Sequence, residues 1–169
     1  MADLTDEVTY ESFKYLSLAG TGAYAEVWKA RRLETGDIYA IKVLSKDAVA
    51  SRKNMAQVLR EKNILSQEGL ASHPFVVTLH YAFQSLNKLH FVMDWAPGGD
   101  LYTAVQCCPQ MRVSENKAML ITAEVHVALK HIHSLGITYR DLKQENILIG
   151  TDGHIMLTGW YTYRGVRGM

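Results

Sequence analysis

The chain has 169 residues, 48% of them hydrophobic, and a formal net charge of +1. That is enough apolar material for a buried core, and the even charge balance gives no basic footprint for nucleic acid or for an anionic membrane. No apolar run approaches the roughly 18 residues a membrane span needs, and residues 1–10 are acidic and polar, unlike a leader. Cys107 and Cys108 are adjacent and cannot frame a set of crosslinks, so the expected setting is reducing, cytoplasmic and/or nuclear. The histidines have no metal-ligand spacing.

In chain order, residues 13–19 and 24–32 predict two strands joined by a glycine-containing turn, and 38–44 a third strand. Met55, Val58, Leu59 and Leu65 recur at helical spacing, which predicts a helix over 54–67 with Gly69 as its stop. Strands follow over 76–83 and 88–94, and then a break at Pro97-Gly98-Gly99 that reads as a hinge. Ser114 is a fair N-cap for a long helix ending near Ser134. Residues 147–149 and 154–157 predict a hairpin around Asp152-Gly153. The fold class is α+β, with a β-rich N-terminal lobe carrying one helix and a second, helical lobe that is started and not completed.

Tyr139-Arg140-Asp141-Leu142-Lys143-Gln144-Glu145-Asn146 is the most informative stretch. An Asp that can receive a hydroxyl proton, a Lys that can steady a phosphate and an Asn that can hold a metal share one short loop, as phosphoryl transfer requires. Gly20-Thr21-Gly22-Ala23-Tyr24-Ala25 is weaker evidence. Glycines there admit phosphate oxygens to the backbone, yet the same residues make an ordinary hairpin turn, and Ala25 stands where a third glycine would be expected. Lys42, at the end of an apolar strand, either pairs with Glu61 on the following helix or snorkels to water. These elements fall in one order along the chain, which favours the functional reading of each.

In that order the residues resemble a eukaryotic protein kinase of the AGC group, close to the mitogen- and stress-activated kinases. The motifs that carry the resemblance are Gly20–Tyr24, Ala40-Ile41-Lys42, Leu79–Phe83, Pro97–Leu101, Tyr139–Asn146 and Gly153-His154-Ile155. It implies a 1–12 extension and a partial kinase domain over 13–169: an N-lobe at 13–96, the start of a C-lobe at 97–158 and an unmatched tail at 159–169. It implies ATP and Mg²⁺ as cofactors and a protein Ser/Thr hydroxyl, near basic residues, as acceptor. Asp141 would be the base, Lys143 would face the γ-phosphate, and Asn146 would be a metal ligand. Gly20 and Gly22 would lie over the phosphates, and Lys42, paired with Glu61, would contact them. Val27, Ala40, Met93 and Leu148 would sandwich the adenine, Asp94 and Ala96 would offer hinge backbone, and Asp100 would hold the ribose. Leu65, Leu79 and Tyr139 match residues that stack between the lobes.

The pattern breaks after Thr158. The family reads Asp-Phe-Gly where this chain has Gly159-Trp160-Tyr161, so a metal-binding carboxylate is missing and Mg²⁺ binding should be weakened. The expectation is a truncated serine/threonine kinase, impaired or inactive. The alternatives are a non-catalytic nucleotide-binding pseudokinase and a scaffold fragment that binds a kinase partner.

Overall fold

The computed structural model describes residues 8–22, 25–51, 58, 69, 70 and 73–159. The chain divides into two compact units, Met1–Met55 with Leu79–Trp95 and Ala56–Thr78 with Ala96–Met169. No described helix is long and apolar enough to cross a membrane.

In the first unit, β1 (Phe13–Thr21), β2 (Ala25–Arg32), β3 (Ile38–Ser45), β4 (Leu79–Gln84) and β5 (Lys88–Asp94) form one antiparallel sheet in the order β1-β2-β3-β5-β4. Runs rich in β-branched and aromatic residues drive the pairing. The central strand β3 is buried on both faces, from Ala40 to Leu44. Phe13 on one edge strand stacks on Phe83 of the other edge, with ring centroids 6.1 Å apart, so the sheet is strongly coiled. Phe13, Ala30, Ile41, Val43 and Val92 form the core inside that curl. A short helix that the sequence pattern did not reveal, α1 (Lys46–Ser51), follows β3. The helix expected over 54–67 lies outside the described residues except for Val58, which is helical and buried.

The strand expected from 76 begins instead at Leu79. Val76 and Val77 belong to the second unit, where the Val77 N–H donates to the Leu157 carbonyl (3.0 Å) and the Leu157 N–H to Phe75 (2.9 Å). That pairing satisfies backbone groups that a longer β4 would have had to satisfy in the first unit.

In the second unit, α2 (Leu101–Gln106) and α3 (Glu115–Ser134) accompany a hairpin of β6 (Ile147–Ile149) and β7 (Ile155–Leu157). Ser114 caps α3 as its sequence suggests, accepting from the Lys117 N–H at 3.4 Å. Gly98 and Gly99 pair with Ile149 on one side of the hairpin, and 75–77 pairs with Leu157 on the other. The hairpin is therefore held from both sides, and its buried Ile147, Ile155 and Leu157 are core. Glu124 of α3 is 5% exposed. It accepts the Ile155 N–H at 3.0 Å and faces the His154 Nδ1 at 2.5 Å, which pins the start of β7 to the helix. Elsewhere along α3, Met119, Leu120 and Val127 are exposed.

Candidate functional site

Strand register groups the expected residues of the first unit. In antiparallel pairs, directly opposed residues share a face and alternate residues return to it. Val27 lies opposite Lys42, and Ala40 opposite Met93. Val27, Ala40, Lys42 and Met93 therefore lie on one face, across three neighbouring strands. Lys42 is 3% exposed and is engaged within the protein. Glu61, the partner expected for it, lies outside the described residues, as does Leu65. Asp94 opposes Tyr39 on the other face, and its carboxylate meets the His80 Nε2 at 2.6 Å.

The glycine turn closes where the Gly22 N–H donates to the Ala25 carbonyl at 2.7 Å. Neither Gly20 nor Gly22 has a positive φ. A Cβ on Gly20 would meet nothing within 4 Å, and one on Gly22 only the Ala25 carbonyl oxygen at 3.5 Å. The fold itself does not demand glycine at either position. What glycine leaves there is backbone with no side chain over it.

The second unit positions the loop residues. Arg140 sits at φ 60°, and the Asp141 N–H folds back onto the Tyr139 carbonyl at 2.8 Å. A non-glycine residue in that conformation stores strain, which surrounding bonds must hold. Asn146 closes a 3₁₀ turn, Gln144–Asn146, and is 8% exposed. Its Nδ2 donates to the Asp141 carbonyl at 2.8 Å and to the Asp141 Oδ2 at 2.9 Å. Lys143 Nζ reaches the same Oδ2 at 3.0 Å. Asp141, Lys143 and Asn146 thus form one connected cluster.

The strand after the loop completes it. The Thr158 N–H donates to the Asn146 carbonyl at 3.0 Å, and the Tyr139 hydroxyl donates to the Thr158 carbonyl. Burial, and then the neighbouring Asp141 carboxylate, push the Tyr139 hydroxyl far above its usual range, so it remains a donor. Gly159 follows at φ +85°. A Cβ built on it would fall 2.5–2.7 Å from the Asn146 Cγ, Oδ1 and Nδ2. The whole amide group of Asn146 therefore lies against Gly159.

The remaining expected residues are placed as follows. Asp100 is the N-cap of α2, its two oxygens accepting from the Thr103 N–H (2.8 Å) and hydroxyl (2.9 Å). Ala96 is buried and its carbonyl accepts from the Gly99 N–H at 3.2 Å. Leu148 bridges to Asp100. Sequence reasoning missed α2, although Asp100 three residues ahead of Thr103 is a capping signal. It also missed Glu124, whose burial has no local signature in the sequence.

Residues 13–161 match the protein kinase domain family. The RAC family serine/threonine-protein kinase homolog of Dictyostelium discoideum is 38% identical over 154 residues, 91% of this chain and 34% of the relative. Serine/threonine-protein kinase Sgk2 of Rattus norvegicus is 42% identical over 146 residues, 86% of this chain and 39% of the relative. Ribosomal protein S6 kinase alpha-4 of Homo sapiens is 40% identical over 157 residues, 90% of this chain and 20% of the relative. The chain spans less than two fifths of the length of these relatives. With nearly all of its length inside the match, the chain belongs to the protein kinase family and resembles its AGC-type serine/threonine members.

Proposed function

We propose that this chain binds ATP as a relative of the serine/threonine kinases and transfers phosphate poorly or not at all. The carrying observation is Gly159, which offers no carboxylate and whose missing side-chain space is taken by Asn146. Protein kinases use ATP with Mg²⁺, and glycine at 159 leaves one carboxylate fewer for that metal. Asn146 spends its amide nitrogen on Asp141, and Gly159 brings no oxygen of its own side chain. Among the described residues no group of three or more His, Cys, Asp or Glu could hold a metal ion. Losing a ligand that neutralises transition-state charge costs on the order of 10³ in rate.

The base is engaged at one of its two oxygens as well. To take a proton from a Ser or Thr hydroxyl, Asp141 must offer a free oxygen. Its Oδ2 is shared between Lys143 and Asn146. Nucleotide binding is supported by different features: the bare backbone at Gly20 and Gly22, and the shared face of Val27, Ala40, Lys42 and Met93.

Calorimetric titration of ATP, with and without Mg²⁺, tests this alongside phosphorylation of a serine peptide carrying arginines. ATP affinity should be the same in both buffers, and peptide phosphate should stay at background. Gly20→Ala should weaken ATP binding while leaving the melting temperature no lower, since its methyl enters open space. Steady phosphate transfer by the unmodified chain in Mg²⁺ would overturn the proposal.

A further inference from the structure

We infer that a cavity in the curl of the first unit's sheet is a binding site for a trimethylammonium group, with Tyr10, Tyr15 and Trp28 as its walls and Glu26 as its counter-charge. The cavity measures about 340 Å³, within the range of small-ligand pockets. Glu26 opposes Val43 and Val43 opposes His90, and all three line it. Strand alternation puts them on the face of the sheet opposite Val27 and Lys42. Nucleotide binding and this site can therefore fail separately.

The walls are aromatic. The rings of Tyr15 and Trp28 stand nearly perpendicular, at 77° with centroids 5.9 Å apart, and Tyr10 lines the same space. The face of an aromatic ring attracts a cation within about 6 Å of its centre. Glu26 adds a full negative charge beside them. The Trp28 Nε1–H donates to its Oε2 at 3.0 Å, which fixes the carboxylate against the indole.

The other polar groups select the kind of cation. A protonated amine carries N–H donors that need acceptors once water is removed. The acceptors on the cavity floor are already engaged. His90, 5% exposed, lies 3.2 Å from the Tyr15 hydroxyl at Nδ1 and 3.3 Å from the Ser85 hydroxyl at Nε2. Methyl groups need no acceptor. Burial, and then Lys88, hold the His90 imidazole below its ordinary value, so the floor is neutral at neutral pH. Among the described residues that line the cavity only Lys88 is cationic, and it is exposed, so its flexible stem keeps the ammonium in water.

The test is an NMR titration of the whole chain with choline, read at the Trp28 indole N–H, beside its uncharged carbon isostere neohexyl alcohol. Choline should bind at least about tenfold tighter than the alcohol, from cation–π and carboxylate contacts. Glu26→Gln should remove that preference, and Lys88→Gln should strengthen choline binding. Tyr10 is 51% exposed, so Tyr10→Leu should weaken choline binding without moving the melting temperature, and Tyr10→Phe should keep it. Choline and N-acetyl-trimethyllysine methylamide, run side by side, distinguish a free amine from a modified side chain, and binding of either supports the site. Equal affinity for choline and the alcohol would make this a plain apolar cavity and overturn the inference. No shift at Trp28 up to tens of millimolar of either cation, or a Lys88→Gln chain that binds choline more weakly, would overturn it too.

Discussion

Restoring the missing carboxylate by Gly159→Asp should destabilise the chain. At φ +85° a side chain is strained, at a cost of about 1 kcal/mol for an Asp, among the better tolerated residues there. The larger part comes from Asn146, which must leave because its amide atoms lie 2.5–2.7 Å from the new Cβ. Leaving breaks one bond to a carbonyl and one to a carboxylate, worth about 1 and about 2 kcal/mol. The sum is about 4 kcal/mol, and for a chain of this size each kcal/mol moves the midpoint by about 3 °C, so a loss of about 12 °C is expected. The assay is a circular-dichroism melt in EDTA, repeated with millimolar Mg²⁺. The wild type should be indifferent to Mg²⁺, whereas the variant, with an Asp and a displaced Asn side by side, should regain part of its loss by binding the ion. A Gly159→Asp chain that melts within about 2 °C of the wild type in EDTA would refute the reasoning, since Asn146 could not then be packed against Gly159.

Two further outcomes follow from glycine packing and from histidine titration. A Cβ at Gly98 would fall 2.7 Å from the Ile149 Cβ and 2.9 Å from its carbonyl oxygen, which accepts the Gly98 N–H, so Gly98→Ala should cost about 3 kcal/mol in denaturant melts; a loss under about 1 kcal/mol would mean that β6 has room to shift. Stability should also peak between acid and alkali, from two histidines of opposite sign. His154 is raised, chiefly by its hydrogen bond to Glu124, so its contribution is full below the unfolded value near 6.5 and is lost as pH climbs through the folded one. His90 is lowered, chiefly by burial, so its contribution is present above about 6.5 and is lost as pH falls toward the folded value. Glu124→Gln should flatten the alkaline limb and spare the acid limb, as read by melts across pH; loss of both limbs would place the alkaline titration elsewhere.

The sheet was legible in the sequence because its strands alternate and its turns carry glycine or Asp and Asn: β5 falls where the pattern places it, and β1, β3 and β4 run a residue or two past their expected ends. The helix capped by Ser114 was legible for the same local reason. What failed depends on distant partners. Val76 and Val77 look like strand residues in either unit, and only Leu157 decides which backbone they pair with. Asp100, expected to hold a ribose, is in addition the cap of α2, a local role set by Thr103. Asp141, Lys143 and Asn146 come together because the loop is short, and all three meet at one carboxylate oxygen. No sequence pattern could say that Asn146 would fill the space at 159, because that is a contact between residues on opposite sides of a hairpin.

A motif of catalytic residues is ordinarily taken as a sign of catalysis, and the loop here gives a physical reason not to take it so. Each member has folding work to do. Tyr139 ties the loop to Thr158 through its hydroxyl, and Asn146 ties it there through its carbonyl. Asn146 also satisfies Asp141, whose turn depends on the unfavourable conformation of Arg140. Removing the amide would leave a half-buried carboxylate and a carbonyl short of donors, a penalty of about 1–3 kcal/mol. That is a sizeable part of the roughly 5–15 kcal/mol that holds a domain together. Lys143, about half exposed, contributes less to folding, because exposed pairs are screened. Of the three residues it is therefore the one whose presence says most about a phosphate ligand. A chain that lost phosphotransfer would still need Asn146 and Tyr139 to fold, but it would need Lys143 only if an anion still binds beside Asp141.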